Sequence, residues 1–381
     1  MRWRAVSTKT DTMNKVKVLP FVWLSLCVFQ VHLALGAENV DSSFNGVPGS
    51  TLEDFFTSAI NYSPTLRIAE ENLNISSARK RAATGTLLPQ VNANASISDN
   101  RRTQNSILEE FDGERYSLQL SQALFNWQAF SARKQASLIE DQSEAEYFYE
   151  LAYLLTEVAE SYFDVLQAED ALESIASEIE AVSTQLDQIE SLYDRQLTQI
   201  TDLYQGRASL AAVQSEQLQL EADLALVEEV LRSISGLDVA GLYRLDDLAE
   251  IPPLENSMQF YVQQSRERNQ QIQAREYALR AAQERISEKR GAYMPRVTFI
   301  AQRQDSDVGF DNRFIGKSEN TYIGLDFSIP LYAGGSNRAA VSEAHSLSSI
   351  AESELRAVRL EAVAQVRAAY LQVQSSETRT R

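Results

Sequence analysis

The chain has 381 residues, 35 basic and 53 acidic, for a net charge of −18. That charge disfavours nucleic acid and anionic membrane surfaces as partners, and it suits a solvated acidic surface or a water-filled passage tolerant of cations. One cysteine, Cys27, and two histidines, His32 and His345, are too few for a disulfide framework, a His-based zinc site or a Ser/His/Asp set, so no catalytic residue, metal ligand or cofactor is expected.

Lys15 and Lys17 precede an almost wholly apolar run, VLPFVWLSLCVFQVHLALG, which ends with Ala34, Gly36 and Ala37 as small residues. A basic n-region, an apolar core and a small-residue cleavage site make residues 1–37 a secretory signal peptide, with Met13 as the true start. Cys27 and His32 leave with it. Residues 38–50 are polar and turn-rich, a loose N-terminal arm.

Residues 51–253 read as a first structural repeat. A helix capped by Ser50 or Thr51 is broken between Asn61 and Pro64, resumes, and ends at Gly85. GTLLPQV follows at 85–91, and then the period changes. Val91, Ala93, Ala95 and Ile97 alternate with Asn92, Asn94, Ser96 and Ser98, the mark of a strand with one apolar and one polar face. Residues 99–115 are polar and charged and read as a long loop. Tyr116, Leu118 and Leu120 then alternate with Ser117, Gln119 and Ser121, which completes a β-hairpin over 87–124.

Neither glycine nor proline occurs from Glu114 to Gln205, and 128–195 is predicted to be one helix. Its apolar seam, from Leu151, Leu155, Val158, Tyr162 and Val165 to Leu172, Ala176, Ile179, Val182, Leu186, Ile189 and Tyr193, advances mostly by fours and threes, as in a coiled coil. Glu169 interrupts it. A second helix spans 200–235, Gly236 closes it, and Gly241 to Pro253 form a linker.

The plan then restarts in a second repeat, 254–381. A broken helix ends at Gly291, and the earlier phrase returns as GAYMPRV. Val297, Phe299 and Ala301 alternate with Thr298, Ile300 and Gln302, less cleanly than in the first copy. A polar loop over 306–319 precedes TYIGLDFSIPLY, in which Ile323, Leu325, Phe327 and Ile329 share a face. A long helix begins after Gly334 and Gly335. Pro89 and Pro295 mark the helix-to-strand junctions, where a residue without an amide donor suits a strand's start. Judged by the first half, the chain is expected to be truncated inside the second long helix.

Amphipathic strands of about ten residues in an exported chain point to an outer-membrane barrel. Four strands cannot close one, and an open edge is not tolerated in lipid. The barrel must therefore be shared, and three chains give twelve strands. The long helices are too polar to span a bilayer and must lie in water.

ALFNWQAFSARKQA at 123–136 and IPLYAGGSNRAAVSEA at 329–344 resemble the two strand-to-helix junctions of the TolC family of outer-membrane ducts, with Pro330, Gly334 and Gly335 in the second. RQLTQITDLYQGRASL at 195–210 resembles that family's helix–turn–helix tip. The resemblance implies a mainly α fold with a small β part: two hairpins per chain in a homotrimeric twelve-strand barrel, continued by a periplasmic tunnel of coiled-coil helices. It implies a passive exit duct in the outer-membrane lipid of a Gram-negative bacterium. Its partners would be a periplasmic adaptor (membrane fusion protein) and an inner-membrane pump, in drug efflux or type I secretion. It also implies that Arg195, Gln196 and Leu197 form the adaptor-contact tip, although the family carries glycine at this turn. A positive φ at Gln196 would have a cost. Thr201 and Asp202 correspond to a threonine–aspartate pair that helps lock the periplasmic entrance, while an acid near a helix start is favoured in any case. A periplasmic adaptor or a coiled-coil scaffold is the alternative; an adaptor would show a glycine-rich lipoyl-like segment in place of two amphipathic strand pairs.

Overall fold

A computed structural model describes residues 50–104, 107–239, 241–244, 254–308 and 317–380. The signal peptide, nearly all of the arm, most of the 241–253 linker and most of the second strand loop lie outside the described residues. Helices and strands alternate in the order α1 (Leu52–Tyr62), α2 (Pro64–Gly85), β1 (Gln90–Gln104), β2 (Ile107–Asn126), α3 (Trp127–Asp194), α4 (Ile200–Ser235), α5 (Met258–Arg268), α6 (Gln270–Arg290), β3 (Arg296–Val308), β4 (Ser318–Ser328) and α7 (Ser336–Thr380). The succession helix, helix, strand, strand, long helix thus occurs twice.

Local chemistry sets the helix ends. Thr51 caps α1 in a capping box: the Asp54 amide donates to its hydroxyl at 3.4 Å, and its own amide donates to Asp54 Oδ2 at 2.9 Å. The Thr51 amide and, at 2.7 Å, the Thr51 hydroxyl donate to Asp54 Oδ2 and hold its carboxyl below the ordinary range. Ser63 ends α1 and caps α2, whose first residue is Pro64, where the missing amide is no loss. Gly236 ends α4 at φ 71° and packs against the Tyr62 ring, so both conformation and space exclude a side chain there.

The 68 residues of α3 extend about 100 Å. Near β2, α3 lies against α2 and α6. The hydroxyls of Ser76 and Ser143 meet at 2.7 Å, and those of Ser131 and Ser287 at 3.0 Å, so these helices approach through small polar side chains. Lys80 pairs with Glu140, whose carboxyl it holds below the usual range, and Lys134 pairs with Glu284. Further along, Phe55 and Ala59 of α1, Leu154, Val158, Tyr162 and Val165 of α3, and Leu231 of α4 form the main core. Phe55, Val158, Val165 and Leu231 are fully buried, each contributing about 1.5–3 kcal/mol. A smaller core joins α6 to α7 through Ile272, Leu355 and Ala362, flanked by the pairs Arg275–Glu354 (3.3 Å) and Arg359–Glu276 (2.7 Å).

Two details of the seam differ from the periodic reading. Leu154 and Ile175 are buried, whereas Ala176 is exposed. The interruption at Glu169 has a tertiary cause: Arg244 lies across α3 there and contacts Glu169, Asp170 and Glu173 at 3.3, 3.4 and 3.1 Å. Next to it the Tyr162 hydroxyl donates to the Tyr243 carbonyl at 2.7 Å, and burial, ahead of other causes, raises its pKa. Glu169 is thus an anchor for the chain that leaves α4.

The strands are longer than the sequence pattern indicates, and the loop expected over 99–115 is largely strand. Asp99 pairs with Asp112 and Gln104 with Ile107, so only residues 105 and 106 separate the described ends. The alternation fades because the sequence there is polar or charged at most positions of both parities, yet ladder hydrogen bonds do not depend on side-chain polarity. Arg101 and Glu110, opposite each other, form an ion pair instead. Residues 306–308 and 318–319 of the second expected loop are likewise strand.

Candidate functional site

All four strands join in one antiparallel sheet in the order β1–β2–β3–β4, with β1 and β4 outermost among the described residues. Its register sorts the side chains into two faces. One carries Val91, Leu120, Ala301 and Ile323 in a single row, and Phe125, Val297 and Phe327 in another. The other carries Asn92, Gln119, Gln302 and Tyr322, then Asn94, Ser117, Gln304 and Asn320. A bulge at Leu124 shifts the register so that Phe125 joins the apolar face.

From β1 to β3 the apolar band is oblique to the rows, and β3 and β4 carry it in the same rows. It occupies Val91–Ile97 on β1, Tyr116–Phe125 on β2, Val297–Ala301 on β3 and Ile323–Phe327 on β4. Val91, the lowest apolar residue of β1, is level across the sheet with Ile323, the highest of β4. Strands tilted by about 35–45° to a bilayer normal require such a slant, because a plane parallel to the membrane then crosses successive strands at successive residues. Above the band on β3 and β4 come charges: Arg303 contacts Glu319 at 3.3 Å and Asp305 at 3.8 Å. On β2, the apolar stretch is about ten residues, the length a tilted strand needs to cross hydrocarbon.

The junctions between sheet and helices are built differently in the two halves. Pro89 and Pro295 each directly precede a strand, β1 and β3. Gln90 Nε2 donates to the Gly85 carbonyl at 2.8 Å and covers the end of α2. At Gly291, an added Cβ would lie 2.8 Å from the Gln128 amide nitrogen and 3.0 Å from Trp127. Asn126 caps α3 directly at the end of β2, accepting from the Ala129 amide at 3.1 Å. Between β4 and α7, by contrast, lie Ile329 to Gly335. Gly334 and Gly335 there take φ 61° and 87°, and Leu331 and Tyr332 are 92% and 89% exposed.

At the far end of α3, Gln196 takes φ 62°, the one described non-glycine residue with positive φ. Its amide donates to the Tyr193 carbonyl at 2.8 Å, and that of Leu197 to the Leu192 carbonyl at 2.9 Å. This is the paired 5→2 and 6→1 pattern of a Schellman C-cap with glutamine in the glycine position. Arg195 ends α3, and Leu197 is exposed. Thr198, Gln199 and Asp202 then start α4. The Thr198 hydroxyl donates to Asp202 Oδ2 at 2.6 Å, and the Gln199 amide donates to the same oxygen at 3.3 Å. These bonds, the hydroxyl first, hold the Asp202 carboxyl below its ordinary value. Thr201 bonds to the Gln199 side chain at 3.4 Å. Asp202 therefore has a helix-capping role within one chain. It also lines a groove between α3 and α4 together with Leu186, Ile189 and Gly206. Gly206 lets the helices close: a Cβ there would meet Leu186 at 3.1 Å.

Sequence reasoning passed over Gly206 and Arg244. It also passed over a second stripe on α4, exposed and uncharged, formed by Tyr204, Ala208, Ala211, Ser215, Leu218 and Ala222 at steps of four and three. Gly206 was detectable as a glycine on the apolar seam of a long helix; Arg244 carried no local signal.

Residues 56–237 and 261–381 match the outer membrane efflux protein family, and the chain belongs to that family. Outer membrane protein TolC of Vibrio cholerae is 28% identical over 287 residues, covering 74% of this chain and 65% of that protein. Alkaline protease secretion protein AprF of Pseudomonas aeruginosa is 24% identical over 284 residues, covering 73% and 59%. The chain spans a little under two thirds of the length of the curated relatives it matches. The solved outer membrane protein VceC of Vibrio cholerae shares the fold, with a TM-score of 0.74 at 18% identity over 86% of this chain and 80% of that one. Membership of this family assigns the chain to the outer membrane.

Proposed function

We propose that three copies of this chain close their sheets edge to edge into a twelve-strand barrel and serve as the exit duct of a tripartite efflux pump or type I secretion system. The observation that carries this reading is the sheet itself. It has one apolar and one polar face, an apolar band slanted as tilted strands require, and outer strands β1 and β4 whose edges lipid would not tolerate unpaired. A neighbouring copy's β1 satisfies β4, and the polar faces then enclose a water-filled passage. The uncharged stripe on α4 fits the same assembly, since a second heptad seam calls for a second helix neighbour. The AprF name associates that relative with alkaline protease secretion; here the cargo, drug or protein, is chosen by the pump.

In this reading a periplasmic adaptor meets the turn at Arg195, Gln196 and Leu197, and Thr201 and Asp202 of three copies surround the entrance. The capping bonds of Asp202 occupy Oδ2 and leave the carboxylate facing the groove beside Gly206. Cargo passes without chemistry; the duct supplies a wall.

The test is arginine placed on one face and then the other. Ala95 lies in the apolar band beside Tyr116, and Asn94 faces the opposite way beside Ser117. Ala95→Arg should cost about 2–4 kcal/mol in the bilayer and abolish membrane assembly, while Asn94→Arg should assemble normally. Equal yields of membrane-inserted protein for both variants would sink the proposal.

A further inference from the structure

We propose that Tyr322 and Gly324 together set the clearance of the barrel interior; this rests on the reading above, in which the polar face lines the passage. The two residues lie two apart on β4 and so share that face. A Cβ built on Gly324 would lie 2.4 Å from Tyr322 Oη and 2.7 Å from Cζ. The phenol therefore occupies the space that a side chain at 324 would need, and it lies along the strand. Gly324 is level with Ile300 on β3, an aliphatic residue on a face otherwise rich in amides and hydroxyls, so the ring comes down beside a locally apolar part of the wall. A side chain at 324 would force the ring out of this position, and a rotamer that stands off the sheet on this face projects into the passage. Glycine in a strand interior weakens it and needs a reason; here the reason is the ring.

The ordinary explanation of such a pair is that an aromatic ring shields an exposed strand glycine, which stabilises the sheet. The two accounts diverge in what a single methyl group does. Gly324→Ala lifts the ring, so it should lower single-channel conductance in planar bilayers by about 1.5-fold, the expected direction for a narrowed pore lining. Tyr322→Ala should leave conductance at or above the wild-type level. The double variant Tyr322→Ala/Gly324→Ala should match Tyr322→Ala, because without the ring the added methyl group has nothing to lift. Unchanged conductance in Gly324→Ala, or the same loss with and without Tyr322, overturns the proposal. Thermal stability of the detergent-solubilised protein separates the shielding role: shielding alone predicts lower stability for Tyr322→Ala with no change in conductance for Gly324→Ala. Labelling of Asn94→Cys and Ala95→Cys by a membrane-impermeant maleimide reports on the underlying reading. Water-accessible Asn94→Cys with protected Ala95→Cys upholds the inward polar face whatever the outcome at Tyr322. The reverse pattern, or the absence of any pore, removes both.

Discussion

GTLLPQV and GAYMPRV are nearly the same phrase, and each carries the chain from a helix into a strand, yet their glycines answer to different constraints. Gly291 has an ordinary helical φ, and its lack of a side chain matters for space: the start of α3 lies directly on it. Gly85 also ends a helix with no positive φ, and no described heavy atom lies within 4 Å of where its Cβ would be. The difference follows from what stands beside each. Gly291 receives Trp127 and Gln128, the beginning of the long helix of the other half. If the halves are repeats, Gly334 and Gly335 are the counterparts of Trp127 and Gln128, and the counterpart contact for Gly85 comes from a second copy. Two identical glycines thus distinguish a contact made within the chain from one that the proposed assembly would make between chains.

The comparison can be broken at its strongest point by Gly291→Ala. A Cβ 2.8 Å from a backbone nitrogen has no flexible neighbour to displace, so the variant should lose about 1–3 kcal/mol and fold in poor yield. Gly85→Ala should leave the fold of the chain intact or stabilise α2 by about 0.5–1 kcal/mol. If the second copy does sit there, the same variant should weaken the oligomer on native gels while leaving the helical content measured by circular dichroism unchanged. Equal losses at both glycines in chemical unfolding would end the distinction.

The strand-to-helix junctions sharpen it further. Gly334 has open space around it but φ 61°, so Gly334→Ala should cost about 1–2 kcal/mol through backbone strain alone. Asn126→Ala at the matching point of the first half should cost about 1 kcal/mol, through loss of the bond from the Ala129 amide. Differential scanning calorimetry in detergent compares the two, and a larger loss at Asn126 would reverse the assignment of a cap to one junction and strain to the other.

At the tip the left-handed position is held by a residue other than glycine. Gln196→Gly should relieve about 1 kcal/mol of strain and raise the melting temperature of the α3–α4 hairpin. The smallest effect is expected at Asp202, whose carboxyl is held below the ordinary value of 3.8 by Thr198 and Gln199. A lowered native pKa means that the stabilisation is present above the unfolded value and is lost as pH falls through the native one. Hydrogen exchange at the first amides of α4 should accelerate below about pH 4 in the wild type and show no such step in Asp202→Asn. A step that persists in the variant would assign it to another group.

The order of elements was legible in the sequence because it is written in local periods: two for β1 and β2, a four–three stride for α3 and α4, and glycine or proline at the breaks. The polar stretch at 99–115 misled because a strand with polar residues at both parities has no period in polarity, and only its partner strand reveals it. The tip turn, with Gln196 in the glycine position, and the capping of α4 by Asp202 follow from chain-local bonding and were close to readable from residues 192–202. The slant of the apolar band, the embrace of Arg244 by Glu169, Asp170 and Glu173, and the fold of Tyr322 onto Gly324 were not. Periodicity states which face of an element avoids water, whereas register between elements distant in sequence decides which side chains meet. That is why two glycines in nearly identical heptapeptides could be told apart only when α3 was seen lying against one of them.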